Sequence, residues 1–339
     1  MDIAKDLKDQ FGDNIKFDFP LAKISTIRIG GPAKYFLTVY NREDLIRALR
    51  FAQNNNLNYF IVGLSSNIIF SDLGFAGVVI KNEACDVVSE GNIVVADSGI
   101  PLARLIRKLA EKNLGGLEFL TGIPGTLGGA VYGNAGAYGR NISELVDSLV
   151  VLDTDGKIKH IQKKQLEFNY RSSIFKEKVK NKKDKYFRPA ILTVKLKVAR
   201  NNKDAILRLI NNFLKMRKNK YPKGYSVGSV FKNVEVAKHP AIDDVLKSYI
   251  FDEKLPAGVL LENIGAKKMR QGAIYVPQEH ANFIINKGSG TAFDFQQLIE
   301  NLKQKVYEEY GIVLEEEIEY VGQITKRKTS IWEKLKNRF

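Results

Sequence analysis

Glycine is concentrated in one short stretch of this chain. Seven glycines fall within residues 122–139, in the run GIPGTLGGAVYGNAGAYG, although the whole chain of 339 residues has only 27. Glycine lacks a Cβ, so its backbone can approach a bulky ligand closely. A flexible linker would be rich in serine and glycine without apolar residues, whereas Ile123, Leu127, Val131 and Tyr132 are interleaved here. The run is therefore expected to be packed and to lie against a ligand.

The ligand that this pattern predicts is a large phosphate-bearing cofactor, because phosphate oxygens accept hydrogen bonds from bare backbone N–H groups. The run is not the dinucleotide fingerprint GxGxxG, since its spacing differs and no acidic residue follows at a suitable distance. A second candidate is IVGLSSN at residues 61–67. Its serines could donate to phosphate, but a Ser-Ser-Asn turn after a strand is also common. Taken alone, this loop leaves both interpretations open.

The chain is strongly basic, with a net charge of +15 and a pI of about 9.5. Basic clusters lie at residues 176–185, 215–223 and 326–338. Because no zinc finger, RNA-recognition or helix-turn-helix signature accompanies them, solvated surface charge is favoured over nucleic-acid binding. Part of the excess is expected to attract an anionic substrate.

Several functional classes are disfavoured by composition. No stretch approaches the length of apolar sequence that spans a membrane, and the polar N-terminus has no apolar segment typical of a secretory signal. The single cysteine, Cys85, suits a reducing cytoplasm. No His, Cys and carboxylate cluster has metal-ligand spacing, and His280 is expected to be structural. We therefore expect a cytoplasmic protein without metal, membrane or nucleic-acid partner.

Periodicity predicts a mixture of helices and strands. Helices are predicted at 41–55, 102–113, 205–217 and 294–310, and strands at 58–62, 78–81, 93–96, 190–198 and 315–320. Asp155-Gly156 between alternating runs predicts a hairpin over 148–160. Because the elements lack βαβ regularity, an α+β class is favoured over a doubly wound sheet. Residues 175–189 are interpreted as a charged loop and a soft boundary.

Five segments, in order along the chain, resemble the UDP-N-acetylenolpyruvoylglucosamine reductase family. They are STIRIGGPA at 25–33, the glycine run, YRSS at 170–173, GSVFKN at 228–233 and LEEEI at 314–318. The resemblance covers nearly the whole chain, from about Phe19 to Gly322. The short separation of the YRSS and GSVFKN segments resembles the shorter, type II subgroup, which lacks a substrate-capping insertion.

This resemblance implies an activity and a fold. The activity is NADPH-dependent reduction of UDP-N-acetylglucosamine enolpyruvate to UDP-N-acetylmuramate in peptidoglycan precursor synthesis, by a monomer with non-covalent FAD. The fold is a two-subdomain FAD-binding module of the vanillyl-alcohol-oxidase/p-cresol methylhydroxylase type, followed by an α+β substrate-binding domain. The implied divisions are an N-terminal lead-in (1–18), FAD subdomains (19–83 and 84–200), a substrate domain (201–325) and a basic tail (326–339).

The resemblance also implies which residues contact the cofactor. In the family the first pyrophosphate loop is richer in glycine, and Leu64 and Ser65 stand where glycines are typical, so Leu64 must point away from the phosphate. The implied contacts are Gly63, Leu64, Ser65, Ser66 and Asn67 from this loop, and Gly122, Ile123, Pro124, Gly125, Thr126, Gly128, Gly129, Asn134, Ala135 and Gly136 from the run.

Three residues match the family's catalytic positions. Arg171 aligns with the arginine that grips the substrate carboxylate, Ser229 with the proton donor, and Glu317 with the second glutamate of a Leu-Glu-Pro-Glu-Val pattern. By themselves these residues would be interpreted as a surface arginine, a turn serine and a solvated glutamate. Glu316 replaces the family's proline. No hydrolase triad is recognisable around Ser229.

Two more residues match substrate-binding positions. Lys220 is expected to contact the pyrophosphate, for which lysine is a suitable point charge, and Asn233 is expected to contact the same substrate. Val234 replaces a proline typical after Asn233. Two other functions remain open: an FAD-dependent oxidase of the same fold acting on an alcohol or lactone, and a basic nucleic-acid-binding protein.

Overall fold

The computed structural model describes residues 2–177, 188–218, 221–239, 242 and 244–323. Its α-helices are α1 (Ile3–Phe11), α2 (Arg42–Asn54), α3 (Leu102–Glu111), α4 (Leu127–Tyr132), α5 (Ile174–Glu177), α6 (Lys203–Lys218), α7 (Asp244–Lys247), α8 (Ala257–Asn263) and α9 (Ala292–Tyr310). Lys220 and the basic tail 326–339 lie outside the described residues, as does most of the charged loop predicted at 175–189.

Most of the strands are short, and their pairings join both consecutive and distant strands. They are β1 (Ile15–Pro20), β2 (Pro32–Val39), β3 (Tyr59–Val62), β4 (Ile68–Phe70), β5 (Phe75–Asn82), β6 (Val87–Glu90), β7 (Ile93–Asp97), β8 (Leu114–Gly115), β9 (Gly136–Ala137), β10 (Arg140–Asn141), β11 (Val146–Leu152), β12 (Ile158–Gln162), β13 (Ala190–Lys197), β14 (Ala199–Arg200), β15 (Val234–Glu235), β16 (Lys254–Leu255), β17 (Arg270–Gln271), β18 (Ile274–Tyr275), β19 (Ile285–Asn286) and β20 (Glu319–Val321). The mixture confirms the α+β class.

The N-terminal part of the chain forms a mixed sheet with the order β1-β2-β5-β3. β1 runs antiparallel to β2, while β2 and β3 both run parallel to β5. Helix α2 connects β2 to β3 and buries Leu45, Leu49 and Ala52 against this sheet. The helix starts at Asn41, whose side chain accepts from the N–H of Asp44 at 2.8 Å. Such a cap satisfies one of the free N–H groups of the first turn.

The second sheet is antiparallel, with the order β12-β11-β13-β7-β6. Strands β11 and β12 form the predicted hairpin. Helix α3 buries Leu105, Ile106 and Leu109 in the core beside this sheet, and Val131 of α4 belongs to the same core. The glycine run therefore contains a helix, which its composition did not predict.

The C-terminal part has a third core, which draws on both ends of the chain. Phe231, Leu260 and Phe295 are fully buried in it, together with Ile27 and Ile69 from the N-terminal part. The last strand, β20, pairs in parallel with β4 and places Val321 opposite Phe70. The N–H groups of Ala292 and Phe293 at the start of α9 donate to the Asp72 carboxylate at 2.8 and 3.1 Å. The C-terminal part is thus attached to the N-terminal sheet region at several points.

Most predicted elements are confirmed to within a few residues, since the helices predicted at 41–55, 102–113, 205–217 and 294–310 are α2, α3, α6 and α9. The strand predicted at 315–320 is wrong in extent, because only Glu319–Val321 forms a strand and Glu316 makes an isolated bridge with Phe231. The backbone changes its partner there, from the Val230 segment to β4. The boundaries of the predicted domains stay a prediction.

Candidate active site

A cavity of about 880 Å³ lies where the loop after β3, the glycine run, the segment around Arg171, the segment around Ser229 and the approach to β20 converge. Cavities of this size are typical of small-molecule and cofactor sites. Its lining combines backbone from the two glycine-containing segments with ionised side chains from the three other segments. The tertiary structure therefore brings together at one place residues that are more than 250 positions apart in sequence.

The loop after β3 presents unused donors to this cavity. The backbone N–H groups of Leu64, Ser65, Ser66 and Asn67 donate to no other described residue. Ser65 has a φ of +53° and is only 3% exposed, and its hydroxyl has no partner in the described part of the chain. Successive free N–H groups around a left-handed residue form a concave anion site. The geometry supports phosphate binding over an ordinary turn.

The other members of this loop have separate contacts. Leu64 lines the cavity and its side chain is 39% exposed. The Ser66 hydroxyl donates to the carbonyl of Pro124, which ties the loop to the glycine run. A Cβ on Gly63 would lie 2.5 Å from Oγ1 of Thr126, so only glycine allows the two segments to approach this closely.

The glycines of the run serve two different purposes. A Cβ on Gly128 would lie 2.8 Å from Cβ of Ser98, so this glycine packs α4 against the second sheet. A Cβ on Gly125 or Gly129 would meet no atom closer than 3.5 Å, and both glycines line the cavity. Thr126 caps α4, its Oγ1 accepting from the N–H of Gly129 at 3.4 Å. The run thus supplies an exposed backbone surface on one side and a close-packed surface on the other.

Of the fifteen residues predicted to contact the cofactor, one does not line the cavity. Asn134 is buried, donates through Nδ2 to the carbonyl of Asn169 at 2.9 Å and accepts from the N–H of Ser143 at 3.3 Å. These contacts hold the turn after α4. Ile123, Ala135 and the remaining predicted contacts line the cavity.

Arg171 and Glu317 form an ion pair at the cavity wall. Nε of Arg171 lies 3.0 Å from Oε1 of Glu317, and Nη2 donates to the carbonyl of Gly136 at 2.9 Å. Both side chains are about one-fifth exposed. The guanidinium also lies over the ring of Tyr170, 5.2 Å from its centroid. The guanidinium plane is thereby fixed while part of its edge still faces the cavity.

Ser229 enters the cavity wall from a small three-stranded arrangement. Its backbone bridges Phe283 on one side, and the next residue, Val230, accepts at its carbonyl from the N–H of Glu317 at 2.8 Å. The same segment is held by Asn282, whose Oδ1 accepts from the N–H of Phe231 at 2.9 Å. The Ser229 hydroxyl has no hydrogen-bond partner within the described residues. It is therefore free to contact a ligand.

Lys176 is a site residue that the sequence did not reveal. It lines the cavity, and its Nζ donates to the backbone carbonyl of Glu317 at 3.0 Å. Burial lowers the pKa of Lys176, with Lys232 adding to the lowering and the Glu317 carboxylate opposing it. Its place three residues after a buried serine, Ser173, gives no distinctive signal, because the surrounding sequence is rich in lysine.

A second ion pair, also not predicted, lines the cavity next to β3. Nη1 of Arg188 lies 2.7 Å from Oε1 of Glu319 and donates to the hydroxyl of Tyr132 at 3.0 Å. That hydroxyl donates to Oε2 of Glu319 at 3.1 Å. Burial, and the Glu319 carboxylate beside it, raise the pKa of Tyr132, so the phenol stays protonated.

The two predicted substrate residues are not seen in the cavity wall. Lys220 lies outside the described residues. Asn233 does not line the cavity: its Oδ1 accepts from the N–H of Ala257 and its own N–H donates to the Tyr170 hydroxyl, both at 3.3 Å. The described residues hold no group of three His, Cys, Asp or Glu side chains suited to a metal ion. Among the described helices none is long and apolar enough to cross a membrane.

The residues present fit a large dinucleotide cofactor. Unused N–H donors and the unpartnered Ser65 hydroxyl suit a pyrophosphate. Gly125 and Gly129 have no side chain, so the cavity wall is open there and a bulky group can lie close to the backbone.

Comparison with known proteins identifies both halves of the chain. Residues 33–162 match the family model "FAD binding domain", and residues 219–321 match the model "UDP-N-acetylenolpyruvoylglucosamine reductase, C-terminal domain". The reductase of this name from Lachnoclostridium phytofermentans is 35% identical to this chain, and the match covers 90% of this chain and 92% of the relative. The reductase of this name from Caldicellulosiruptor saccharolyticus is 36% identical, and the match covers 91% of this chain and 93% of the relative. The crystal structure of the reductase from Thermus caldophilus is similar with a TM-score of 0.70 and 29% identity, over 91% of this chain and 98% of that chain.

Replacing cavity-facing and packing glycines should have opposite effects. Gly129→Leu places a side chain in the open space of the cavity, so we expect the affinity for flavin to fall. The stability of the flavin-free protein should be retained, because glycine inside a helix is unfavourable by about 0.5–1 kcal/mol. Gly128→Leu meets Ser98, so the fold itself should be destabilised. Thermal unfolding and flavin fluorescence titration measure the two effects. Normal flavin affinity in Gly129→Leu would contradict the assignment of the open surface.

Lys176 should make stability depend on pH. Its pKa in the folded protein is below the ordinary 10.5, so between these two values the unfolded chain holds more protons and the contribution of Lys176 to stability rises with pH. We therefore expect the wild type to gain stability relative to Lys176→Met as the pH increases towards 10.5. Urea unfolding of both proteins across this range measures the difference. A difference that does not change with pH would show that the ammonium group is not desolvated by folding.

Proposed function

The chain belongs to the UDP-N-acetylenolpyruvoylglucosamine reductase family, and we propose that the cavity between its glycine run and its C-terminal part is where it performs the family's reaction. It reduces UDP-N-acetylglucosamine enolpyruvate to UDP-N-acetylmuramate in peptidoglycan precursor synthesis, with FAD as cofactor and NADPH as reductant. The observation that carries the residue assignments is the convergence of Arg171, Ser229 and Glu317 on the same cavity as the two glycine-containing segments. The shorter, type II subgroup remains our proposal for this chain.

The cofactor is assigned to the two segments that present bare backbone. The N–H groups at Leu64 to Asn67 would hold the pyrophosphate, and Gly125 and Gly129 would allow the remainder of the cofactor to lie against the run. FAD, when bound, accepts a hydride from NADPH and supplies it to the methylene carbon of the enolpyruvyl ether. No cysteine or histidine lies in either segment, which supports a non-covalent association.

The ion pair of Arg171 and Glu317 is assigned to the substrate carboxylate. Nε of Arg171 is engaged by Glu317, and one N–H of Nη2 is engaged by the carbonyl of Gly136. The second N–H of Nη2 and those of Nη1 would offer two parallel donors to the carboxylate. Arg171, oriented by Glu317, would stabilise the negative charge that develops on the carboxylate as hydride arrives at the neighbouring double bond. Preorganised groups of this kind stabilise a transition state without reorganising during the reaction.

Ser229 is assigned as the proton donor. Its free hydroxyl lines the cavity and would deliver a proton to the carbon that bears the ether oxygen, after hydride has been added to the methylene carbon. A serine hydroxyl is a weak acid, so it needs positive charge nearby. Arg171 and Lys176 are assigned this role because both contact Glu317, whose N–H donates to the carbonyl of Val230 next to Ser229.

The substrate is a small nucleotide-sugar, and the cavity has the charge to receive it. We further propose that the enzyme acts as a cytoplasmic monomer without nucleic-acid partner. Size-exclusion chromatography with light scattering tests whether the protein is a monomer.

The alternative of an oxidase acting on an alcohol or lactone is not favoured, because residues 219–321 match the C-terminal domain of the reductase.

The proposed function is tested with the wild-type protein in two steps. NADPH should bleach the bound flavin anaerobically, and the enolpyruvyl nucleotide should then restore its absorbance with formation of UDP-N-acetylmuramate. Ser229→Ala should be reduced by NADPH at close to the wild-type rate but reoxidised about 10²–10⁴-fold more slowly, since a positioned general acid contributes this much. Stopped-flow absorbance resolves both steps. Slow reduction with normal reoxidation would remove Ser229 from the proton-transfer step.

Arg171→Lys should fail despite keeping the positive charge, because a lysine cannot reproduce the guanidinium fork. The loss expected is on the order of 10²–10³ in turnover, similar to that for other preorganised donors. Arg140→Lys is the matched control, since Arg140 forms an exposed ion pair with Glu144 and does not line the cavity. Steady-state kinetics with both variants measure the difference. Near-normal turnover by Arg171→Lys would show that its role is misassigned.

A further inference from the structure

A charged side chain occupies a core-facing position in the segment that carries Glu317. Leu314 and Ile318 of this segment are buried in the third core. Because side chains of an extended segment alternate between its two faces, Glu316 lies on the same face as these two residues, while Glu317 lies on the opposite face and lines the cavity. A carboxylate on a face that packs against a core is unfavourable unless it is paired.

Glu316 is paired with Lys303, from the middle of helix α9. Nζ of Lys303 lies 3.0 Å from Oε1 of Glu316, and the two side chains are only 13% and 20% exposed. Tyr320, the second residue of β20, adjoins the same carboxylate. Burial, together with the negative charge of Glu316, raises the pKa of the Tyr320 phenol well above its ordinary value, so the phenol stays protonated beside the carboxylate. Glu316 therefore ties its segment to both α9 and β20.

Helix α9 supports this pair because it is packed along its length and attached at its start. Leu302 and Val306, one residue before and three residues after Lys303, are buried in the third core. At the start of the helix, the Asp72 carboxylate accepts from two backbone N–H groups. The ion pair of Glu316 is thus a link to the packed core and to the N-terminal part of the chain.

The backbone of Glu316 itself is left out of the hydrogen bonds that hold its segment. The N–H of Lys232 donates to the carbonyl of Glu315 at 2.9 Å. The N–H of Glu317 donates to the carbonyl of Val230 at 2.8 Å. These bonds flank Glu316 on both sides, and within the described residues its own N–H has no acceptor.

A proline at position 316 would therefore lose no hydrogen bond to the described residues, since it is the N–H that proline lacks. Proline is the residue of the Leu-Glu-Pro-Glu-Val pattern at this position, and its ring fixes φ near about −65°. The glutamate of this chain allows its backbone a wider range of φ. The ion pair to α9 restricts the segment through the side chain, where a proline would restrict it through the backbone.

We propose that Glu316 is a positioning residue for the reaction: its anchorage to α9 and β20 fixes the segment that presents Glu317 to the cavity. This inference rests on the proposed function, since Glu316 does not line the cavity and acts through Glu317. Loss of the anchorage should leave the ligand-binding segments in place and displace the Glu317 carboxylate. A displacement of about 1 Å can slow a reaction on the order of 10²-fold.

The two half-reactions separate positioning from general damage to the fold. Glu316→Ala should bind FAD with wild-type affinity and be reduced by NADPH at close to the wild-type rate. Its reoxidation by saturating enolpyruvyl nucleotide should be slower by about 10- to 100-fold in stopped-flow absorbance. Lys303→Met should slow reoxidation to a similar extent, because it removes the partner of Glu316. Lys305→Met is the matched control, since Lys305 is an exposed lysine of the same helix without an ion pair to any described residue.

Glu316→Pro tests the mechanism, because it restricts the backbone without the carboxylate. We expect it to recover most of the reoxidation rate that Glu316→Ala loses. In the Glu316→Pro background, Lys303→Met should not slow reoxidation further, since Lys303 acts on the reaction only through Glu316. Thermal unfolding records the stability of each variant separately, and the rates are compared well below the lowest unfolding temperature.

Three outcomes would overturn the inference. Wild-type reoxidation in either Glu316→Ala or Lys303→Met would show that the pair does not position Glu317. Equal slowing of both half-reactions would show a general loss of structure. A folded Glu316→Pro that is as slow as Glu316→Ala would show that restriction of the backbone is not the cause. In each case the enolpyruvyl nucleotide would still reoxidise the wild type, whereas failure of that step in the wild type would instead contradict the proposed function.

Discussion

The parallel pairing of β20 with β4 is the constraint on which the site depends. It returns the end of the described chain to the N-terminal region, and it places the backbone of Glu317 and Glu319 beside the loop that follows β3. Nδ2 of Asn67 donates to the carbonyl of Glu317 at 3.1 Å, and the carbonyl of Asn67 accepts from the N–H of Glu319 at 3.0 Å. Asn67, in the loop after β3, thus fixes the backbone of Glu317 and the start of β20. The loop after β3 and the segment of Glu317 and Glu319 are consequently held together by hydrogen bonds of both the side chain and the backbone of Asn67.

Charge in the cavity is divided between paired and available groups. The Arg171–Glu317 and Arg188–Glu319 pairs occupy the wall near β20. Removing one member of such a partly buried pair leaves the other without compensation, which costs more than the pair contributes. At the end of α6, by contrast, Arg217 forms no ion pair with any described residue. The cavity wall therefore combines ion-paired arginines near β20 with a cation at the end of α6 that pairs with no described carboxylate.

Helices and hairpins could be predicted from the sequence where the pattern that signals them is local. The helices α2, α3, α6 and α9 have strong apolar periodicity, and the hairpin β11–β12 has a turn signal, so both kinds of element were predicted close to their observed bounds. Helix α4 was not predicted, because three of its neighbouring and internal residues are glycines of low helix propensity. The helix forms because Thr126 caps it and Gly128 allows it to pack against Ser98. Tertiary packing overrides propensity here.

The sequence by itself determined the α+β class and the family. It also predicted Arg171, Ser229 and Glu317 as catalytic residues, since each lies in a short motif that is visible without knowledge of contacts. Only the tertiary structure decided that Asn134 holds a turn and does not contact the cavity, and that Lys176, Arg188 and Glu319 belong to the cavity wall. It also showed that Arg217 lines the cavity without an ion pair to any residue in the described part of the chain. The physical reason is that a charge acquires its role from what lies beside it. In a chain with 53 lysines and arginines, no local pattern distinguishes the few that face a cavity from those that face solvent.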